Sequence, residues 1–117
     1  MSSTDTRHLI EQAIERFYDQ VPAVRNLALV MRLELRARGD VPTWRVEVPG
    51  PKISKDPAAD ARLHVEVQRQ DFNKLAVDGT LREWRKAYEQ GHVTVTGEPA
   101  IVKLLGNVVE RQLTRAR

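Results

Sequence analysis

The sequence predicts an α+β domain in which helices cover a sheet of half-buried strands. Three observations carry that prediction. Apolar residues take every second position in three stretches, Leu27 to Leu35, Trp44 to Val48 and Leu63 to Val67. Segments with helical periodicity lie on both sides of these stretches. Gly79, Gly91 and Gly97 divide the second half into short elements, the last of which carries a very broad apolar face.

The first helix is expected over residues 4–20. Thr4 or Asp5 supplies an N-cap, and Ile10, Ile14, Phe17 and Val21 share one face at i, i+4, i+7 and i+11. Pro22 stops it, because the residue before a proline is pushed out of the helical region. The period then falls to two. Leu27, Leu29, Met31, Leu33 and Leu35 alternate with residues such as Arg32, Glu34 and Arg36, giving a strand over 26–37. Gly39-Asp40-Val41-Pro42 is turn chemistry, and a strand over 43–49 follows with Trp44, Val46 and Val48 on one face. Pro49, Pro51 and Pro57 each remove a backbone donor, so that segment reads as a wide hairpin end with Ile53 tucked inward. A strand over 61–68 buries Leu63, Val65 and Val67. Short connections between successive strands imply an antiparallel meander.

Asp71 caps a short helix over 71–78 that bears Phe72, Leu75 and Ala76. Asp78-Gly79 would make a hairpin between strands, but its flanks lack strand periodicity and it reads as a helix-ending turn. Leu81, Trp84, Ala87 and Tyr88 share a face of a helix over 81–90, which Gly91 terminates. A strand over 92–97 puts Val93 and Val95 on one side, and Pro99 opens a final helix over 99–114. On that helix Ile101, Val102, Leu104, Leu105, Val108, Val109 and Leu113 sweep about half the circumference. A helix lying on a sheet needs an apolar arc of only about 100°. The surplus requires a second apolar neighbour: another helix, a second copy of the chain, or a bound lipid.

The 117 residues make one domain, with 41% hydrophobic and 30% charged residues. The net charge of +3 does not mark a nucleic-acid binder. Arginines alternate with acids, as in Arg32-Glu34-Arg36 and Arg45-Glu47, which makes a solvated surface and no basic stripe. Aromatic residues for base stacking are sparse at 5%. Without cysteine there is no disulfide framework, thiol catalysis or zinc ribbon. The longest apolar run, Leu27 to Met31, is far shorter than the ~20 residues that span a bilayer. The opening residues have neither a basic nor an apolar signal region, so a cytoplasmic location is expected.

Reactive side chains are few. His64 and His92 project on the polar parity of their strands, with Asp60, Glu66 and Glu98 nearby in sequence. They lack further ligands at a metal-binding spacing, and no Ser sits in a Gly-x-Ser-x-Gly turn. Gly91 and Gly97 are too widely spaced for a phosphate loop. No catalytic residue, metal or cofactor is expected, and the function must be read from apolar shape.

One ordered set of motifs has a counterpart. It comprises the Trp44 strand, Ala59-Asp60-Ala61 before an alternating strand, Asp71-Phe72 with Leu75 and Gly79, Ala87-Tyr88-Glu89-Gln90-Gly91 before a strand, and Gly97 before the last apolar helix. From about residue 26 to 113 the chain resembles the sterol carrier protein 2 family of lipid-binding domains. The resemblance implies a five-stranded, mainly antiparallel sheet covered by helices, an α/β sandwich with an apolar tunnel between its layers. It implies carriage, without conversion, of a fatty acid, fatty acyl-CoA, sterol or isoprenoid.

The residues expected around such a ligand are Met31, Trp44, Val46, Val65 and Val95 from the sheet, and Phe72, Leu75, Trp84 and Tyr88 from the short helices. The last helix adds Ile101, Leu104, Leu105 and Val108. Arg85, Lys86 and Lys103 are expected at the mouth, placed to meet a carboxylate or phosphate, unless they only form a solvated helix face. Two departures stand out. The family usually has a longer Lys- and Pro-bearing link after the glycine matching Gly79, and phenylalanines where this chain has Trp84 and Tyr88. The partners expected are a small hydrophobic ligand and, transiently, a membrane surface. The alternative reading is an interaction module of the same fold, its core filled, that forms a homodimer.

Overall fold

The computed structural model describes residues 3–39 and 41–115. Helix α1 (Ser3–Gln20) is followed by a 3-10 turn (Pro22–Asn26) and strands β1 (Leu29–Arg36), β2 (Thr43–Val48), β3 (Lys52–Ser54) and β4 (Leu63–Gln68). Helices α2 (Arg69–Asp78) and α3 (Leu81–Glu89), strand β5 (Val93–Gly97) and helix α4 (Pro99–Arg115) complete the chain. The result is an α+β fold in which one five-stranded sheet, ordered β3-β2-β1-β4-β5, is covered by four α-helices.

The sheet is mixed. β1–β2, β2–β3 and β4–β5 pair antiparallel, but β4 lies parallel to β1, with Leu33 beside Val65. The expected meander is therefore wrong at its third strand. The Pro-bearing segment folds back as β3 and takes the outer edge of β2, with Ile53 buried opposite Val46. An edge strand needs only one hydrogen-bonded side, so the flanking Pro51 and Pro57 are tolerated there. The chain then crosses to the free edge of β1, where Arg62 N–H donates to the Val30 carbonyl at 3.0 Å.

The period of two is realised as expected. Leu33, Leu35, Trp44, Val46 and Val67 are buried under the helices. On the open face Arg32 pairs with Glu34 (2.9 Å) and Arg36 with Glu66 (2.8 Å), so the basic residues are dispersed among acids. Arg45 holds Asp60 through two nitrogens, at 2.5 and 3.0 Å.

Helix ends depart from the expected caps. Thr4 and Asp5 lie inside α1, and α2 begins two residues before Asp71, which sits in its first turn. Asp40, expected in the β1–β2 turn, lies outside the described residues. α3 has a capping box: Glu83 N–H donates to the Thr80 hydroxyl and Thr80 N–H to the Glu83 carboxylate, both at 3.2 Å. Arg16 of α1 donates to the Val77 and Gly79 carbonyls, capping the end of α2. Gly97 is required by geometry. Its φ is +133°, and a Cβ there would lie 2.5 Å from the Arg62 carbonyl oxygen.

Two apolar clusters hold the layers. The larger joins Ile10, Leu35, Trp44, Val46, Val67 and Phe72 between the sheet and α1 and α2. The smaller joins Val21, Val24, Leu81 and Leu113, where the end of α4 meets the 3-10 turn and the start of α3.

Candidate functional site

An apolar cavity of about 490 Å³ lies between the helices and the β1–β4–β5 half of the sheet. Its floor is Leu29, Met31, Leu33, Leu63, Val65, Val67, Val93 and Val95, the inward residues of three strands. α1 supplies Ile10, Ala13, Ile14, Phe17 and Tyr18, and α2 supplies Phe72. Leu81, Trp84 and Tyr88 of α3 face Val102, Leu105 and Val109 of α4 across it. Phe72 and Trp84 meet edge to face, their ring centroids 6.3 Å apart.

The position of the space follows from the packing. α1 packs against α2 and reaches β3, and α2 rests on β4 and β1. α3 and α4 lean on β5 instead. The smaller cluster holds the far end of α4 away from the larger one, and both clusters contribute to the cavity wall.

The opening lies between α3 and α4. The exposed lining residues are Tyr88, Glu89, Gly106 and Glu110, all on these two helices. Among the described residues three charged ones line the cavity, and they form one network. Arg85 Nε pairs with Glu89 at 2.8 Å on its own helix, and Arg85 Nη2 reaches Glu110 of α4, also at 2.8 Å. One further polar group stands in the wall. The Tyr18 hydroxyl is buried without a hydrogen-bond partner among the described residues. Burial raises the phenol above its ordinary pKa of 10.0, while the nearby Arg25 charge acts in the opposite direction.

Met31, Val65, Phe72, Trp84, Tyr88, Val95 and Leu105 are brought together around the cavity, with Arg85 at its rim. Trp44, Val46, Leu75 and Ile101 are buried but do not line it. They fill the tightly packed layers on either side, where no space remains. Val108 packs into the smaller cluster, and Leu104 is 41% exposed on the outer face of α4. Lys86 and Lys103 are exposed and off the rim. The α1 wall was not among the expected lining residues. Its Ile10, Ile14 and Phe17 stripe was visible, but a stripe does not say whether it closes on a sheet or on a space.

The histidines stand apart from this site. His64 is on the open face beside Arg32 and Thr96, and His92 Nδ1 lies 3.2 Å from Asp71 Oδ2 on the surface. Among the described residues no group of three His, Cys, Asp or Glu side chains is placed to hold a metal ion. Nor is any helix among them long and apolar enough to cross a membrane.

No protein-family profile matches the chain, and no curated protein matches it in sequence. Solved structures do match in shape. A palmitated SCP2L2 from Aedes aegypti is 23% identical with a TM-score of 0.59, over 86% of this chain and 93% of that one. Sterol carrier protein domain 2 of Helicoverpa armigera is 12% identical with a TM-score of 0.56, over 86% and 87%. UbiJ-SCP2, a ubiquinone synthesis protein, is 18% identical with a TM-score of 0.54, over 92% and 98%. The chain has the sterol carrier protein 2 fold.

Proposed function

We propose that this chain binds and carries a single-chain hydrophobic lipid in the cavity between its sheet and helices, without converting it. The observation that carries this reading is the size and lining of the space, about 490 Å³ walled by aliphatic and aromatic side chains from both layers. Pockets for small molecules span about 300–1,000 Å³. Left empty, its apolar walls would forfeit packing contacts, at ~24 cal/mol per Å³ wherever the space is enclosed. Water is a poor filler for an apolar space, and a hydrocarbon chain is a good one.

Transfer energetics set the expected affinity. At ~0.8 kcal/mol per buried methylene, a 16-carbon chain gains on the order of 10 kcal/mol. Ordering and association costs of several kcal/mol leave an affinity of about micromolar. The candidates are a fatty acid, fatty acyl-CoA, sterol or isoprenoid, held by a cytoplasmic carrier. The palmitated state of the Aedes aegypti SCP2L2 supports an acyl chain as one occupant of this fold.

Native mass spectrometry of the purified protein, followed by solvent extraction and lipid identification, tests the reading. A co-purifying lipid, or one acquired from a panel of fatty acids, acyl-CoAs, sterols and isoprenoids, is the expected result. A protein that stays empty through that panel and runs as a dimer would overturn it in favour of an interaction module.

A further inference from the structure

We infer that the mouth of the cavity selects amphiphiles with an uncharged, hydrogen-bond-donating head group over anionic ones. This rests on the carrier reading and concerns which lipids the carrier accepts. Apart from the neutral Tyr18 hydroxyl the walls are apolar, so a charged head group has no counter-charge inside and is carried at the opening between α3 and α4. There it meets Arg85, Glu89 and Glu110, the charged residues of the lining. Arg85 is the cation among these lining residues, and it is already engaged on both sides, 2.8 Å from each carboxylate. The lysines expected to reinforce it, Lys86 and Lys103, do not line the cavity.

The charge count decides the preference. Among the described residues, two carboxylates and one guanidinium give the rim one net negative charge. A fatty acid carboxylate arriving there has two options. It sits beside the network and is repelled, or it displaces Glu110 or Glu89 from Arg85 and leaves that side chain unpaired. Neither option increases the number of opposite-charge pairs. A hydroxyl head group instead donates to either carboxylate, making a charge-assisted hydrogen bond without breaking the Arg85 bridges. For half-exposed groups about 6 Å apart, the electrostatic difference corresponds to roughly a tenfold difference in affinity at low salt. It also has to shrink as salt screens the rim. The class selected is that of long-chain alcohols, phenols and sterol-type hydroxyls.

Isothermal titration calorimetry with 1-decanol and decanoate at pH 7.4 tests the inference, since the chains match and only the head group differs. The wild-type protein is expected to bind the alcohol about tenfold more tightly in 20 mM salt, with the ratio falling several-fold in 500 mM salt. Glu110→Gln and Glu89→Gln, each removing one negative charge, are expected to move the ratio toward one by tightening decanoate binding. Equal or tighter binding of decanoate by the wild-type protein overturns the inference, as does a ratio that ignores both salt and substitution. Where the ten-carbon pair binds too weakly to measure, 1-hexadecanol and hexadecanoate take its place, and binding of neither of these overturns the carrier reading itself, and the selectivity with it.

Discussion

Phe72 of α2 and Trp84 of α3 stand at 71° to one another, 6.3 Å between ring centres, and both rings form part of the cavity wall. Phe72 is also a member of the larger core cluster, so it serves packing and cavity at once. Phe72→Ala removes a buried ring beside an existing space that gives its neighbours room to stay apart. The expected cost is about 3–5 kcal/mol, read as a lower urea midpoint with an unchanged slope. A loss under 1 kcal/mol would show that α2 and α3 collapse onto each other without it.

Filling the cavity should separate stability from binding. Val65 lines the floor directly across from Val95 on the neighbouring strand. Val65→Phe adds bulk into the space and not against a packed wall, so the urea midpoint is expected to hold or rise. Lipid occupancy in native mass spectra should fall at least tenfold. If occupancy were unchanged, the lipid would have to bind elsewhere on the protein.

Gly97→Ala tests the junction between β5 and α4. The φ of +133° and the 2.5 Å approach of a Cβ to the Arg62 carbonyl oxygen leave no room for a methyl group. Glu98 N–H also donates to that carbonyl at 2.9 Å, which fixes the spacing. A loss of at least about 2 kcal/mol in urea unfolding is expected. A neutral result would mean that the strand end relaxes freely.

Acid should weaken the fold through two surface pairs. Hydrogen bonds from Arg45 chiefly hold Asp60 below its ordinary pKa of 3.8, and those from Arg62 hold Glu98 below 4.5. A carboxyl whose pKa is depressed on folding stabilises the protein above its unfolded pKa and loses that effect as pH falls through its folded one. Stability is therefore expected to decline as pH drops below about 4.5. The double variant Asp60→Asn, Glu98→Gln should show a shallower decline in urea midpoints between about pH 5 and pH 3. An equally steep decline would assign the acid sensitivity to other carboxylates.

Much of this architecture was legible in the residues. The period of two in β1, β2 and β4 and the wide apolar arc of α4 follow directly from local spacing. What escaped was set by partners distant in sequence. β3 hides between Pro51 and Pro57 because only its edge position makes those prolines harmless. The parallel pairing of β4 depends on which edge of β1 stays free, which no local pattern encodes. Thr80-x-x-Glu83 has the spacing of a capping box, a local signal that marks the start of α3. For the cavity, the chemistry of the lining was legible but its position was not. Trp44 and Val46 have the same apolar, alternating character as Met31 and Val65. Only the divergence of α3 and α4 from the other helices decides which pair faces open space.

The smaller apolar cluster has a kinetic meaning. Val21, Val24, Leu81 and Leu113 fasten the far end of α4, helped along the helix by buried Ile101 and the Arg85–Glu110 bridge. These contacts are few beside those of the central sheet. Amide hydrogens of α4 should therefore exchange through partial opening, ahead of those in β1 and β4. If cargo leaves by the gap between α3 and α4, that opening is its slow step. The residence time of the lipid would then depend on how firmly Val21, Val24, Leu81 and Leu113 hold that helix end, as well as on the bridge beside its head group.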